Sequence, residues 1–394
     1  MPGRPSNPES KGRDVGEPLS ASTERIWITE VESPPAGRRL AVKDLFDTAG
    51  LRTTYGSIIF AEHVPERSAE AVRRLETAGY ANVGKTNLHE FAYGVSSENP
   101  HFGTVPNPLA EGRIAGGSSG GSAAALAAGL VDAALGSDSA GSIRIPAACC
   151  GVVGFKPTFG LVPIDGCFPL APSFDHAGPM ASQVAECVRM MEALVPGFEP
   201  RTVELADLEV GVAWLEHADS LVRARVGEAA ALFPSRQELE LDLPDRADWG
   251  PLFRREALES HVGLFPERAE DYGEDVRESL VQAESLTEGE VGGAKRVRAR
   301  HREQLDERTT GLDLLLTPTL PVVAPPLGQG DRTTLTKFTA LFNLSGWPAL
   351  AFPCGLAEDG LPASIQIAGR SGEDALVLAA GAALERAMFA ESRT

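Results

Sequence analysis

The sequence is short of positive charge. It carries 36 Lys and Arg against 55 Asp and Glu, a formal net charge of −19. A surface that tracks a phosphate backbone needs the opposite sign, which argues against nucleic acid as a direct partner. Cysteine is also scarce: five residues, an odd number, with no C-x-x-C pair. Neither a disulfide framework nor a zinc site is expected, and the thiols read as free and buried. There are only seven histidines, and none lies between His101 and His176. The nearest approach to a metalloprotease helix, His89-Glu90-Phe91-Ala92-Tyr93, has tyrosine where the second histidine is required. No metal and no cofactor are therefore implied. Long apolar runs are missing too. The longest small-residue run, Ala123 to Leu135, is broken by Asp132 and is too short to span a bilayer, so no membrane role is expected. The opening MPGRPSNPESKGRDVGEPLSASTER lacks the apolar segment of a secretory signal. Residues 1–24 read as a flexible tail rich in Pro, Gly, Ser and charge, and the expected location is cytoplasmic.

What is present is a chain of 394 residues, 43% apolar and 23% charged, enough for a large core. Residues 25–394 read as a single domain. Leu40-Ala41-Val42 is a short apolar run with Lys43 at its end. Residues 68–78 read as a helix capped by Ser68, with Ala71, Leu75 and Ala78 on one face and Gly79 as its stop. A buried strand follows at YANVG, then a small-residue helix from Ser119 to Leu130. VDAALGSD looks like a strand entering a tight turn, and LDLLLTPTLP, WPALAFPCG and PASIQIAG are strand-like. Such alternation of helix and short apolar strand indicates an α/β layered fold. Residues 200–310 are highly charged and read as amphipathic helices with solvated faces.

Two motifs are decoys. GYANVGKT (79–86) fits the P-loop pattern letter for letter, but a helix precedes its first glycine and the strand lies between the two glycines. A phosphate cradle needs the reverse order. GGSSG (116–120) fits the G-x-S-x-G nucleophile elbow, which would make Ser118 the nucleophile of an α/β-hydrolase-like esterase. The stretch before it, NPLAEGRIA, is loop-like and supplies no strand, although His176, His217, His261 and His301 lie downstream. No serine has a lysine three residues later, which excludes the S-x-x-K arrangement.

A third reading joins several separated blocks. GGSSGGSAAALAAG followed by GSDSAGSIRIPAACCGVVGFKPT closely resembles the signature of the amidase signature family. AVKDLFDTAG (41–50), VGKTNLHEFAYG (83–94), PSFDHAGPMA (172–181), LLTPTLP (315–321) and the closing GLPASIQIAGRSGEDALVLAAGAALE extend the resemblance. It covers the chain from about residue 30 onward and is weakest across 200–310. It implies the amidase signature fold, a central mixed β-sheet covered by helices on both faces. It also implies hydrolysis of a carboxamide C–N bond through an acyl-enzyme.

The resemblance implies Ser142 as nucleophile, Ser118 as a bridging serine after a cis peptide at Gly117–Ser118, and Lys43 as base. A buried neutral lysine can activate a serine hydroxyl where no histidine is at hand, provided its pKa falls from about 10.4. The bland alternative for Lys43 is a strand-end salt bridge to Asp44 or Asp47. Backbone N–H groups of Ser139, Ala140, Gly141 and Ser142 are the expected oxyanion hole. Ala140 stands where the family more commonly has glycine, so its backbone should suit an L-residue. Ser119, Asp138, Arg144 and Asp175 are expected to support the site. Phe91, Tyr93, Gly116, Gly117, Phe168, Phe174 and Trp347 are candidates for substrate contact. The expected partner is a small-molecule amide, with aryl amides, esters or carbamates also open, and the chain is expected to be a monomer or homodimer. The alternative within the family is an amidotransferase A-type subunit that supplies ammonia for tRNA-dependent amidation and needs partner subunits.

Overall fold

The structure is a computed structural model, and it describes residues 24–391 of the chain. The tail expected over residues 1–24 lies outside the described residues except for Glu24. Thirteen strands are described: β1 Trp27–Glu30, β2 Arg38–Lys43, β3 Tyr80–Thr86, β4 Glu98–Asn99, β5 Gly103–Thr104, β6 Ala133–Asp138 and β7 Val153–Lys156 in the first part. They continue with β8 His176–Ala181, β9 Val210–Val212, β10 Arg236–Glu238, β11 Leu314–Pro318, β12 Ala349–Leu356 and β13 Pro362–Gly369. Eleven of them form one mixed sheet in the order β1-β3-β2-β6-β8-β7-β12-β13-β11-β9-β10, while β4 and β5 pair separately. β3, β2 and β6 run parallel. β8, β7, β12, β13 and β11 join through antiparallel pairs. Helices on both faces complete the expected α/β architecture.

Sequence and packing agree over most of this frame. β6 and β13 are buried along their whole length, as a central strand covered on both faces must be. In β13 the alternation sends Ile365 and Ile367 to one face and Ser364 and Gln366 to the other. Gln366 then reaches Arg144, as described below. The small-residue helix runs from Gly120 to Ala127 and is buried up to Leu126. A Cβ on Gly121 would stand 2.3 Å from the Asn87 carbonyl oxygen, so only glycine permits this close approach.

Two details differ from expectation. The helix Glu70–Thr77 has Ala69, not Ser68, at its N-cap. The Ser68 hydroxyl accepts from Ala49 N–H at 3.0 Å instead, so a tertiary contact outcompetes the local cap. The charged stretch 200–310 is not purely helical. It contributes β9 and β10 to the edge of the sheet before the helices Arg246–Ser260, Glu274–Glu284 and Glu288–Arg308. Val210 and Val212 of β9 are buried against β11, a segment too short for its alternation to stand out among charged neighbours. Among the described residues no helix is long and apolar enough to cross a membrane.

Candidate active site

Lys43 is the last residue of β2, and Val42 of β2 lies opposite Leu135 of β6. Two parallel neighbours therefore bring Lys43 and Ser137 to the same carboxyl end of the sheet, where open α/β sheets hold their ligands. Lys43 is fully buried. Its Nζ donates to Ser118 Oγ at 2.6 Å and to Ser137 Oγ at 2.8 Å. It has no ion-pair partner among the described residues. Asp44 pairs with Lys85 at 3.0 Å, and Asp47 accepts from the Tyr55 hydroxyl, so the strand-end salt bridge does not form. Burial lowers the Lys43 ammonium to about 7, against the upward pull of Cys167, Asp138 and Asp175. A large fraction of neutral amine at neutral pH follows. Lys85 of the P-loop decoy lies on strand β3 and is buried.

The peptide between Gly117 and Ser118 is cis. Gly116 has φ +73°, and a Cβ there would lie 2.8 Å from Pro146 Cα. A Cβ on Gly117 would lie 2.9 Å from Ser97 N. Both glycines are thus buried positions whose lack of a side chain lets the serine loop approach its neighbours. Ser119 supports the arrangement twice: its hydroxyl donates to the Ser137 carbonyl and its N–H to the Ser142 carbonyl, each at 3.2 Å.

Ser142 sits in the turn after β6 and is 6% exposed. The turn is organised by Asp138, whose carboxylate accepts from Gly141 N–H at 2.7 Å and Ile143 N–H at 3.2 Å. Arg144 closes a two-pronged pair with Asp138 at 3.0 and 2.9 Å, and both side chains are fully buried. The remaining guanidinium protons go to Thr339 O, Gln366 Oε1 and Asn343 Oδ1 at 2.6–2.9 Å. Asn343 Nδ2 returns to Asp138 Oδ1 at 2.9 Å. Burial by itself would raise the Asp138 carboxyl, but the Arg144 charge and hydrogen bonds more than reverse it and hold the group ionised. Gly141 has φ +132°, and a Cβ there would fall 2.4 Å from Thr339 Oγ1. Ala140 keeps the negative φ expected of an L-residue, its carbonyl held by Thr339 Oγ1 at 2.6 Å.

These bonds correct the expected oxyanion hole. The Gly141 N–H is committed to Asp138, so it is not available to a substrate oxygen. The N–H groups of Ser139, Ala140 and Ser142 find no acceptor among the described residues. Asp175 accepts from the Ser139 hydroxyl at 2.6 Å and from Leu170 and Ala171 N–H, tying the 170–175 loop to the turn. Burial raises its carboxyl, and these donors oppose the shift.

The hydroxyls of Ser118 and Ser142 are not hydrogen-bonded to each other, and no histidine side chain bonds to either. No strand leads into Ser118, so the elbow geometry is absent. Of the aromatic candidates, Tyr93 lines the lobe of the cleft that holds Ser142, and Phe168 lines a second lobe beside Ser137 and Asp175. The others lie outside these two lobes. Phe91 is fully buried among Phe60, Phe168, His261 and Tyr272. Phe174 packs on Phe253 under the Arg298 guanidinium. Trp347 lines a different cleft with Phe159 and Arg370. Sequence reasoning missed Ser137, Thr339, Asn343 and Gln366, and it missed Arg246 and Arg332, which line the Ser142 lobe. Among the described residues no cluster of three or more His, Cys, Asp or Glu could hold a metal ion.

The profile of the Amidase family matches residues 20–227 and 257–378. The A-type subunit of glutamyl-tRNA(Gln) amidotransferase from Haloarcula marismortui is 34% identical over 90% of this chain and 96% of its own length. Among solved structures, one described as an amidase has 38% identity and a TM-score of 0.82, over 89% of this chain and 84% of its own. A second, from a vestigial protein complex bearing on the origins of an s-triazine catabolic enzyme, has 32% identity and a TM-score of 0.81, over 90% and 85%. Fold and matches together define an α/β enzyme of amide C–N chemistry. The chain belongs to the amidase signature family.

Proposed function

We propose that the chain hydrolyses a carboxamide through an acyl-enzyme on Ser142, with Lys43 as base and Ser118 as proton bridge. Neutral Lys43 takes the Ser118 proton as Ser118 takes that of Ser142. Ser142 Oγ then bonds to the amide carbon, and the carbonyl electrons move to oxygen. The N–H groups of Ser139, Ala140 and Ser142 are the donors open to that oxyanion. Collapse of the adduct breaks the C–N bond, and the proton returns through Ser118 to the departing nitrogen. Water, deprotonated along the same path, then releases the acid from Ser142. The observation that carries this reading is Lys43 itself: buried, without a counter-ion, lowered to about 7, and 2.6 Å from Ser118 Oγ. The test is release of ammonia or amine from a panel of primary amides and anilides by the purified chain. Release should be lost in Ser142→Ala and survive exhaustive EDTA treatment; a Ser142→Ala variant with undiminished activity contradicts the reading.

The named relatives support a second reading, an amidotransferase A-type subunit that produces ammonia for tRNA-dependent amidation and works with partner subunits. The chemistry at Ser142 is the same in both. What favours the free-standing hydrolase is the Ser142 lobe of the cleft, lined among the described residues by Arg246 and Arg332 and by no acidic side chain to receive the α-ammonium of an amino-acid amide such as glutamine. Asp175 lines the second lobe, where Ser139, Leu170 and Ala171 already donate to it. Co-purification of further subunits that raise glutamine turnover would favour the amidotransferase reading.

A further inference from the structure

Two guanidinium groups line the lobe of the cleft that holds Ser142, and they are held differently. Arg332 is fixed: it donates to the Tyr93 carbonyl at 2.6 Å, to Ser279 Oγ at 2.7 Å and to Asp275 Oδ2 at 3.3 Å, over the Tyr93 ring. Arg246 is half-buried and makes no hydrogen bond or ion pair among the described residues; its guanidinium lies 5.4 Å from the Trp249 ring centroid. Burial lowers Arg246 to about 10, and repulsion from Arg332 and Arg254 adds to that, with Asp331 the acid that opposes. A half-buried guanidinium with no hydrogen-bonded partner keeps its donors open, and a bound anion would engage them. A carboxylate matches the planar fork of a guanidinium, and the aromatic edges of Tyr93 and Phe253 beside it suit a short methylene chain. The family profile stops at residue 227 and resumes at 257, so Arg246 lies in a stretch that the family pattern does not describe. A residue that selects this chain's own substrate is expected there.

We propose that the substrate is an amide whose acyl group ends in a carboxylate, with Arg246 pairing that carboxylate beside the Asp275-paired Arg332. This rests on the reading of Ser142 as nucleophile. The test compares the ω-carboxylated amides succinamate and glutaramate with the neutral amides butyramide and valeramide. It reads ammonia release and, independently, protection of Ser142 from a fluorophosphonate. The carboxylated amides should be preferred at least about tenfold in kcat/KM or in protection, equal to ~1.4 kcal/mol. Arg246→Gln should bring the ratio near one and Arg246→Lys should keep part of it, with Tm unchanged in both. Glutaramate should also be preferred to glutamine, whose added ammonium meets no acidic side chain among the described residues lining the Ser142 lobe. Equal or better use of the neutral amides by the wild type would overturn the proposal, as would an undiminished preference in Arg246→Gln or a preference for glutamine. If Ser142 takes no fluorophosphonate at all, the hydrolase reading fails with it; if labelling is normal and only the preference is missing, the subsite alone fails.

Discussion

The turn after β6 and the helices between Arg246 and Arg308 both contain arginine–carboxylate pairs, yet they place them in opposite surroundings. In the turn, Arg144 and Asp138 are fully buried and their remaining hydrogen-bonding groups are taken up by Asn343, Gln366, Thr339 and backbone. In the helices, Arg255 pairs with a Glu288 side chain that is 84% exposed, and Arg277 with a Glu270 that is 93% exposed. A buried pair is often no more stabilising than apolar residues of the same volume, but each partner obliges the other to be present. It therefore fixes one geometry for the turn that holds Ser142. An exposed pair contributes little and can be exchanged freely. The first region is held in one geometry, and the second tolerates exchange at its exposed pairs; only its opening part, up to residue 256, falls in the gap of the family match at 228–256.

The sharpest way to break this contrast is through Lys43, the one buried cation of the β2–β6 end without an acid among the described residues. Lys43→Ala and Lys43→Arg should each lower kcat/KM about a thousandfold, or ~4 kcal/mol, because arginine keeps its proton near neutrality. Retention of more than about a tenth of the activity would remove Lys43 from the role of base. Next comes Arg144→Leu, which strands the Asp138 carboxylate in the core. It should cost about 3–5 kcal/mol in denaturant unfolding, with activity falling as the turn loosens. A loss below ~1 kcal/mol would mean the buried network does not hold the turn.

The pH profile sharpens the same point. A lysine acting as the proposed base works in its neutral form, so kcat/KM should climb as pH rises through about 7 and level off above it. A flat profile across that range, or one that falls, contradicts a lysine base. The smallest effect belongs to the helices: Glu288→Gln should change stability by less than about 1 kcal/mol and leave kcat/KM unaltered.

How much of this could be read from residues alone follows the same division. Leu40-Ala41-Val42 marks β2 because three apolar residues precede a lysine, and the turn after β6 is marked by the clustered small residues of GSDSAGS. Both signals are local. Asn343 and Gln366 lie about 200 residues from Asp138, and nothing near them in sequence distinguishes a ligand of Arg144 from any buried amide. Arg246 occurs in RADWGPLFRREALES among Arg254 and Arg255. A solvated arginine and one facing a cleft look identical until the helix Arg246–Ser260 is packed. Trp347 erred the other way, since an aromatic beside a core strand suits a substrate wall as well as a packing site, and only the fold places it in a separate cleft. The turn after β6 was legible in outline, but the commitment of the Gly141 N–H to Asp138 depends on a side-chain rotamer that no spacing encodes.

The central claim is that Ser142, and not Ser118, becomes covalently bonded to the acyl group. Because members of one proton relay fail together, kinetics of the two alanine variants will look alike. The decisive measurement is the mass of peptides from enzyme treated with a fluorophosphonate. One adduct is expected, on the peptide that contains Ser142, with slower formation of that same adduct in Ser118→Ala and none in Ser142→Ala. An adduct on Ser118, or undiminished labelling of Ser142→Ala, would contradict the claim.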